Sequence, residues 1–297
     1  MRKFKILSGS LILIAFFSAC STAPKKETDV YSDRGAAERI LSMANHTANR
    51  GRFDEALLIL QEARRLALST DDPSLRIRTT ISRGNFLFSL GRVSQAFTEW
   101  EIASEEGDAS GEPVLAALAR IYSIRSKFVL LSAETGIPEE TGQAKIESSE
   151  TLMTLLAEEM VKVRSDSFAT ASGYVTLALA EKHMGRYIEA EAAARRALDL
   201  HDRNRSLEDA SYDWFLIASI RSVDGNYDTA LLALRMAINL DRRSENGFGL
   251  ASSWQAMGDI YQKMGQPEES KAAWKRAADI YRAIGLENIA LKLEKEL

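Results

Sequence analysis

The chain of 297 residues carries 38 basic and 42 acidic side chains, a net charge of −4, and 45% of its residues are hydrophobic. That balance argues against a nucleic-acid partner, which needs a basic surface, and the length exceeds what one compact core ordinarily serves. A single cysteine, Cys20, excludes an internal disulfide framework.

The chain opens with MRKFKILSGSLILIAFFSAC, in which Arg2, Lys3 and Lys5 precede an apolar run from Leu11 to Phe17 and then small residues. That layout is a secretory signal over residues 1–19, with an apolar run too short to span a bilayer. Its end, Phe17-Ser18-Ala19-Cys20, resembles the lipobox of bacterial lipoproteins, with Phe17 where an aliphatic residue is usual. The resemblance implies that Cys20 becomes the new N-terminus and carries palmitate-type acyl chains. Each buried methylene contributes about 0.8 kcal/mol, so two or more such chains anchor stably. Ser21, rather than an aspartate, after the cysteine implies the outer membrane, facing the periplasm. Residues 20–34 are polar without periodicity and read as a tether between membrane and domain. Loss of residues 1–19 leaves 35 basic against 42 acidic groups, a net charge of −7.

From residue 35 onward the chain repeats. Gly51, Gly91, Gly185, Gly225 and Gly265 are spaced by 40, 94, 40 and 40 residues, each closing one helix and turning the chain into the next. Counting Ala251 as slot 1 of the last unit, slot 8 holds Ala44, Gly84, Ala178, Ala218 and Gly258. Slot 20 holds Ala56, Ala96, Ala190, Ala230 and Ser270, and slot 27 holds Ala63, Ala103, Ala197, Ala237 and Ala277. Helices joined by so short a turn pack antiparallel, and small residues let their axes approach. Units run over about 37–70, 77–108, 171–204, 211–244 and 251–284. The long interval holds one irregular unit, 112–165, in which Leu115, Leu118, Ala119 and Tyr122 fit slots 4, 7, 8 and 11. Its first helix runs to about Ser132, and a connection with Gly136, Pro138 and Gly142 leads to a long helix through Leu152, Leu155 and Met160. Asp54, Ser94 and Asp228 follow their turns at positions where a capping oxygen would serve the second helix. Residues 285–297 read as a helix capping the array.

With Trp254, Met257, Gly258, Tyr261, Ser270, Trp274 and Ala277, the last unit resembles a tetratricopeptide repeat, lacking only the usual proline, which is Arg282 here. Trp214 and Tyr174 fill the aromatic slot 4 of the two units before it, whereas Ile40 and Thr80 replace it in the first two; Trp100 fills slot 24 of the second. The resemblance implies an all-α, right-handed superhelix of about six helix pairs, the third irregular, whose first helices line a concave groove through slots 2, 5, 9, 12 and 13. The implied groove residues include Asn45, Asn49, Asn85, Phe88, Leu179, Lys182, His183, Tyr212, Phe215, Gln255 and Asp259. Among them Asn45 and Asn85 would bond the backbone of an extended peptide, and Tyr212 and Phe215 would anchor it. Apolar side chains at slots 5 and 9 serve equally well as packing between neighbouring first helices. Slot 5 holds Leu41, Ile81, Val175, Phe215 and Gln255, so the lysine-bearing clamp by which some family members grip a C-terminal carboxylate is missing.

No catalytic or metal motif stands out. His46, His183 and His201 fall in different units without ligand spacing and read as ordinary surface or groove residues. Paired acids such as Glu139-Glu140 and Glu158-Glu159 read as solvated helix faces; catalysis would need acids between Glu134 and Glu159 buried together in a cleft. The expected function is a non-catalytic, lipid-anchored scaffold that binds protein partners of the cell envelope, without cofactor, metal or nucleic acid, and with self-association left open. The alternative is a small-molecule or lipid-binding module, tied to a transport system, with Phe88, Leu179, Tyr212 and Phe215 around an enclosed, dry, apolar pocket.

Overall fold

The computed structural model describes residues 32–132 and 148–295, which form thirteen helices and no strand. Six successive pairs follow one another: α1 (Asp33–Asn49) with α2 (Phe53–Ser69), α3 (Pro73–Ser89) with α4 (Val93–Ala109), α5 (Pro113–Leu131) with α6 (Ser149–Lys162), α7 (Ser167–His183) with α8 (Tyr187–Arg203), α9 (Leu207–Val223) with α10 (Tyr227–Ser244), and α11 (Gly247–Lys263) with α12 (Pro267–Ala283). A short α13 (Glu287–Glu294) covers the last pair. The signal stretch, Cys20 with most of its tether, and the connection with Gly136, Pro138 and Gly142 lie outside the described residues.

The forty-residue period has a simple origin. Most of these helices are 17 residues long, and a three-residue link follows each. One residue per link takes the left-handed conformation: glycine at Gly51, Gly91, Gly111, Gly185, Gly225, Gly265 and Gly285, but Asp71, Arg205 and Glu245 at three links between units. The underlying step is therefore one helix plus one link, and glycine spacing shows only every second one within the regular units.

Small residues at slots 8, 20 and 27 form the interior of each pair, and Ala44, Ala56, Ala63, Ala96, Ala190, Ala230 and Ala277 are wholly buried. Ser270, also buried, satisfies its hydroxyl by donating to the Gly258 carbonyl at 2.9 Å. Slots 8 and 24 are matched in size. Where slot 24 is tryptophan, slot 8 is glycine: a Cβ on Gly84 would stand 2.5 Å from Trp100 Nε1, and one on Gly258 would stand 2.3 Å from Trp274 Cδ1. Where slot 24 is Leu60, Ala194 or Leu234, slot 8 is Ala44, Ala178 or Ala218.

Two local expectations are corrected. Helices α2, α4 and α10 are preceded by Arg52, Arg92 and Asn226 at the cap position, none of which makes a side-chain cap bond; Asp54 and Asp228 lie within the first turn, where a negative charge favours the helix dipole. Capping side chains sit instead on Ser32, Asp72, Ser148, Asp166 and Asn246, all at helices that open a new unit or follow the long connection. Helix α6 is short, 14 residues, and buries Leu152 and Leu156 while Leu155 faces outward. The inner stripe thus runs through positions 152, 156, 159 and 163, a spacing of three to four that keeps one face inward. Met160 takes a flanking place, its Cγ filling the space a side chain on Gly173 would need.

Candidate functional site

The superhelix brings its two ends together. The α1–α2 turn rests against the start of α9, the α10–α11 link and the α12–α13 link. A Cβ on Gly51 would lie 3.0 Å from Ile284 Cδ1 and 3.1 Å from Leu286 Cδ1, whereas Gly91, Gly185, Gly225 and Gly265 have nothing within 4 Å. Phe53 meets Phe248 edge to face at 5.6 Å. Asn49 donates to Glu208, Arg50 pairs with Glu245, and His46 Nδ1 lies 3.7 Å from Glu208 Oε1.

This contact encloses part of the concave face. Two adjoining hollows, about 890 and 380 Å³, share Asn49, Phe53, Ser89, Glu208 and Asp209 and form one chamber. Asn45, Arg78, Asn85, Leu115, Tyr122 and Phe168 wall the larger part. In the smaller part stand Arg125, Tyr212, Phe215, Asp241, Phe248 and Ser253. Tyr212 and Phe215 stack at 6.5 Å, and although 43% of Tyr212 is accessible, it opens to the chamber, so burial pushes its hydroxyl pKa up. A separate hollow of about 570 Å³ between α10, α11 and α12 is lined by Arg235, Arg242 and Arg276, the last stacked on Trp254 at 4.6 Å.

Of the groove residues expected from sequence, Asn45, Asn49, Asn85, Tyr212 and Phe215 line the chamber. Several are already engaged. Asn85 Oδ1 accepts from Trp100 Nε1 at 3.1 Å, and Asp259, at the same slot, accepts from Trp274 Nε1 at 2.8 Å. Burial raises the Asp259 carboxyl despite that bond. Gln255 accepts from the Tyr281 hydroxyl at 3.2 Å. Phe88 packs on Trp100 at 5.9 Å, and Leu179 packs into the core around Val175. Lys182 donates to Ser219 Oγ at 2.7 Å, and burial, with help from Lys263, lowers its pKa. His183 Nδ1 lies 3.1 Å from Ser132 Oγ, beside the Phe128 ring at 6.0 Å.

The third histidine departs from its expected setting. His201 is buried against an equally buried Asp213, Nδ1 to Oδ2 2.6 Å. Burial alone would lower the histidine, but the bond and charge of Asp213 outweigh it and raise its pKa. Glu159, one of the acids considered for catalysis, pairs with Lys162 at 2.7 Å and Arg120 at 3.5 Å, a structural ion pair on α6.

Asp241 and Ser253 escaped the sequence reading. Both are 1% exposed, both line the smaller hollow, and Asp241 Oδ2 and Ser253 Oγ have no hydrogen-bond partner. Asn246 holds the other Asp241 oxygen at 2.9 Å while its own Oδ1 caps the Gly249 amide, and Gly249 leaves the room, since a Cβ there would fall 2.6 Å from Asp241 Oδ1. Burial pushes the Asp241 pKa up to about 6 against the lowering effects of the neighbouring Ser211 hydroxyl and of Asn246. The signal for Asp241 is faint, because it ends a second helix, outside the slots that face a groove.

Two stretches match family models for the tetratricopeptide repeat. They are residues 170–203 and 251–284, which comprise α7–α8 and α11–α12. No curated protein matches the sequence. Among solved structures, a Rap protein complexed with Competence and Sporulation Factor superposes with a TM-score of 0.63 at 10% identity, covering 89% of this chain and 80% of that one. BtubC from P. vanneervenii superposes with a TM-score of 0.50 at 15% identity, covering 84% and 92%. At such identities the likeness establishes the fold, a solenoid of tetratricopeptide-like pairs.

Proposed function

We propose that this chain is a non-catalytic scaffold that holds an extended segment of a partner protein inside its superhelix, and that it is lipid-anchored through Cys20 at a bacterial outer membrane, facing the periplasm. The chamber carries this reading. It combines aromatic walls with amide and carboxylate groups along one continuous hollow of a size that takes a chain segment rather than a folded domain. The Rap neighbour, which is complexed with Competence and Sporulation Factor, supports a ligand held by this kind of fold. Anchoring rests on the sequence around Cys20, and among the described residues no helix is long and apolar enough to cross a membrane.

The apolar-pocket alternative loses two of its four walls. Phe88 and Leu179 line neither hollow of the chamber, and Tyr212 and Phe215 share theirs with Asp241, Ser253 and Arg125.

The test is crosslinking from envelope membranes with the full chain and with Tyr212→Ala/Phe215→Ala, alongside palmitate labelling of wild type and Cys20→Ala. Expected are a defined set of proteins retained by wild type and lost from the double variant, and label that disappears with Cys20. Retention of the same set by both forms would remove the chamber from the function; absence of label would remove the anchor.

A further inference from the structure

Taking the chamber as the site of partner binding, we infer that its smaller end is a receptor for a basic side chain, a lysine or arginine of the bound segment. Two side-chain oxygens in the wall of this hollow make no hydrogen bond. Asp241 Oδ2 belongs to a carboxylate and Ser253 Oγ to a hydroxyl, each on a residue 99% removed from solvent. A buried acceptor without a donor is costly, and a buried carboxylate more so. The chain nevertheless builds this arrangement deliberately: Asn246 orients the carboxylate and Gly249 vacates the space beside it. An ammonium or guanidinium supplies what is missing, a positive charge with several N–H donors.

The walls select for the same group. Tyr212 and Phe215, stacked at 6.5 Å, and Phe248 present ring faces and edges that accommodate an aliphatic stem or attract a cation. Glu208 and Asp209 add negative charge at the junction with the larger hollow. The one cation of the small hollow, Arg125, is committed elsewhere: Nη2 donates to the Ser172 carbonyl at 2.7 Å, Nε donates to Thr176 Oγ1 at 3.1 Å, and its guanidinium lies 4.7 Å from the Tyr122 ring. A metal ion fits poorly, because calcium requires six or more oxygens and zinc prefers nitrogen and sulfur, and among the described residues no three His, Cys, Asp or Glu side chains are grouped to hold one.

The experiment is selection of a random heptapeptide library displayed on phage against the immobilised full chain, repeated on Asp241→Asn and Ser253→Ala, with melting curves as the check on folding. The expected result is a basic residue fixed at one position of the winning peptides, with synthetic winners binding Asp241→Asn about thirty-fold more weakly or worse, the scale for leaving a buried charge unpaired. Winners without a fixed basic residue, or with affinity unchanged by Asp241→Asn, would overturn the inference while leaving peptide binding in place. If no heptapeptide is selected, the proposed function falls with it. Spermidine is the second probe: saturable binding that depends on Asp241, in the absence of peptide winners, would show a free polyamine as the occupant and overturn the assignment to a side chain.

Discussion

The α3–α4 and α9–α10 pairs share one backbone and spend their side chains differently. In α3–α4 a glycine at slot 8 admits Trp100, and Asn85, one residue further along, bonds the indole nitrogen. In α9–α10 the same places hold Ala218 and Leu234, apolar and mutually sized; Ser211 and Asp213 are bonded within the fold, while Asp241, near the end of α10, keeps one oxygen without a hydrogen bond. The first pair ties its slot-9 amide to its own indole; the second also sets a carboxylate in the chamber wall. A repeat thus fixes where helices lie, while the pairing of a few slots decides which units are packing modules and which present chemistry.

The strongest way to break that contrast is to exchange the matched slots. Gly84→Ala should destabilise the chain by about 2 kcal/mol, because overpacking against a wholly buried indole costs about 1–3 kcal/mol or more and outweighs the roughly 1 kcal/mol that alanine adds in a helix. In a Trp100→Leu background the same substitution recreates the Ala218–Leu234 combination and should become neutral or stabilising. Denaturant melts of the four proteins measure this as a double-mutant cycle. A Gly84→Ala effect of the same sign and size in both backgrounds would show that the glycine is not there for the tryptophan.

The other half of the contrast is a titration. The folded-state pKa of Asp241 is raised, to about 6 from 3.8, so the native chain binds this proton more tightly than the unfolded one. Ionisation therefore costs stability above pH 6, and the cost is relieved as pH falls through 6 toward 4. Asp241→Asn, which still accepts from Asn246, should be more stable than wild type by about 2 kcal/mol at pH 7.5, given 1.36 kcal/mol per pKa unit and an allowance for the unpartnered amide. That advantage should shrink toward pH 4.5. An advantage independent of pH would mean that the Asp241 carboxyl does not carry the cost.

Much of this architecture is legible in sequence because slots 8, 20 and 27 and the turn glycines are short-range, repeated requirements: Ala63, Ala103 and Ala277 occupy equivalent places for one reason, the close approach of two axes. The pairing of Gly84 with Trp100 and of Gly258 with Trp274 was not legible there, because the glycine gap reads as room for a close helix axis, and the structure fills it with an indole. End-to-end closure was not legible either, since Gly51 meets Ile284 and Leu286, and no periodicity relates opposite ends of a chain. Nor was the chamber floor. A rule that assigns the groove to first helices passes over Asp241 on α10, and slot 9 predicts that Asn85 and Asp259 face the groove without saying that indoles already hold them.

Closure gives a second pair of equivalent positions with unequal surroundings. Gly51→Ala and Gly91→Ala both force alanine into a left-handed turn, at φ +77° and +75°, a cost of about 1–2 kcal/mol. Only at Gly51 does the new methyl also meet side chains from the far end. We expect Gly51→Ala to cost roughly 1 kcal/mol more than Gly91→Ala and to expose the chamber, seen as faster amide exchange at Gly247 and Phe248. Equal losses, with no change in exchange, would show that the ends rest together without contributing to stability.

The smallest effect concerns the links between units. Arg205 sits at φ 57° and is exposed, at the step of the array where Gly111 and Gly285 stand elsewhere. A left-handed arginine costs about 1–2 kcal/mol, whereas glycine costs about 0.5–1 kcal/mol through the freedom it adds to the unfolded chain. Arg205→Gly should therefore stabilise the chain by about 0.5–1 kcal/mol, and the same change at Glu245 should gain less, because it also removes the ion pair with Arg50 that helps hold the first turn in place. If Arg205→Gly and Glu245→Gly gain equally in thermal melts, the Arg50 bridge contributes nothing, and closure rests on the Asn49–Glu208 bond and the apolar contacts of Gly51 and Phe53.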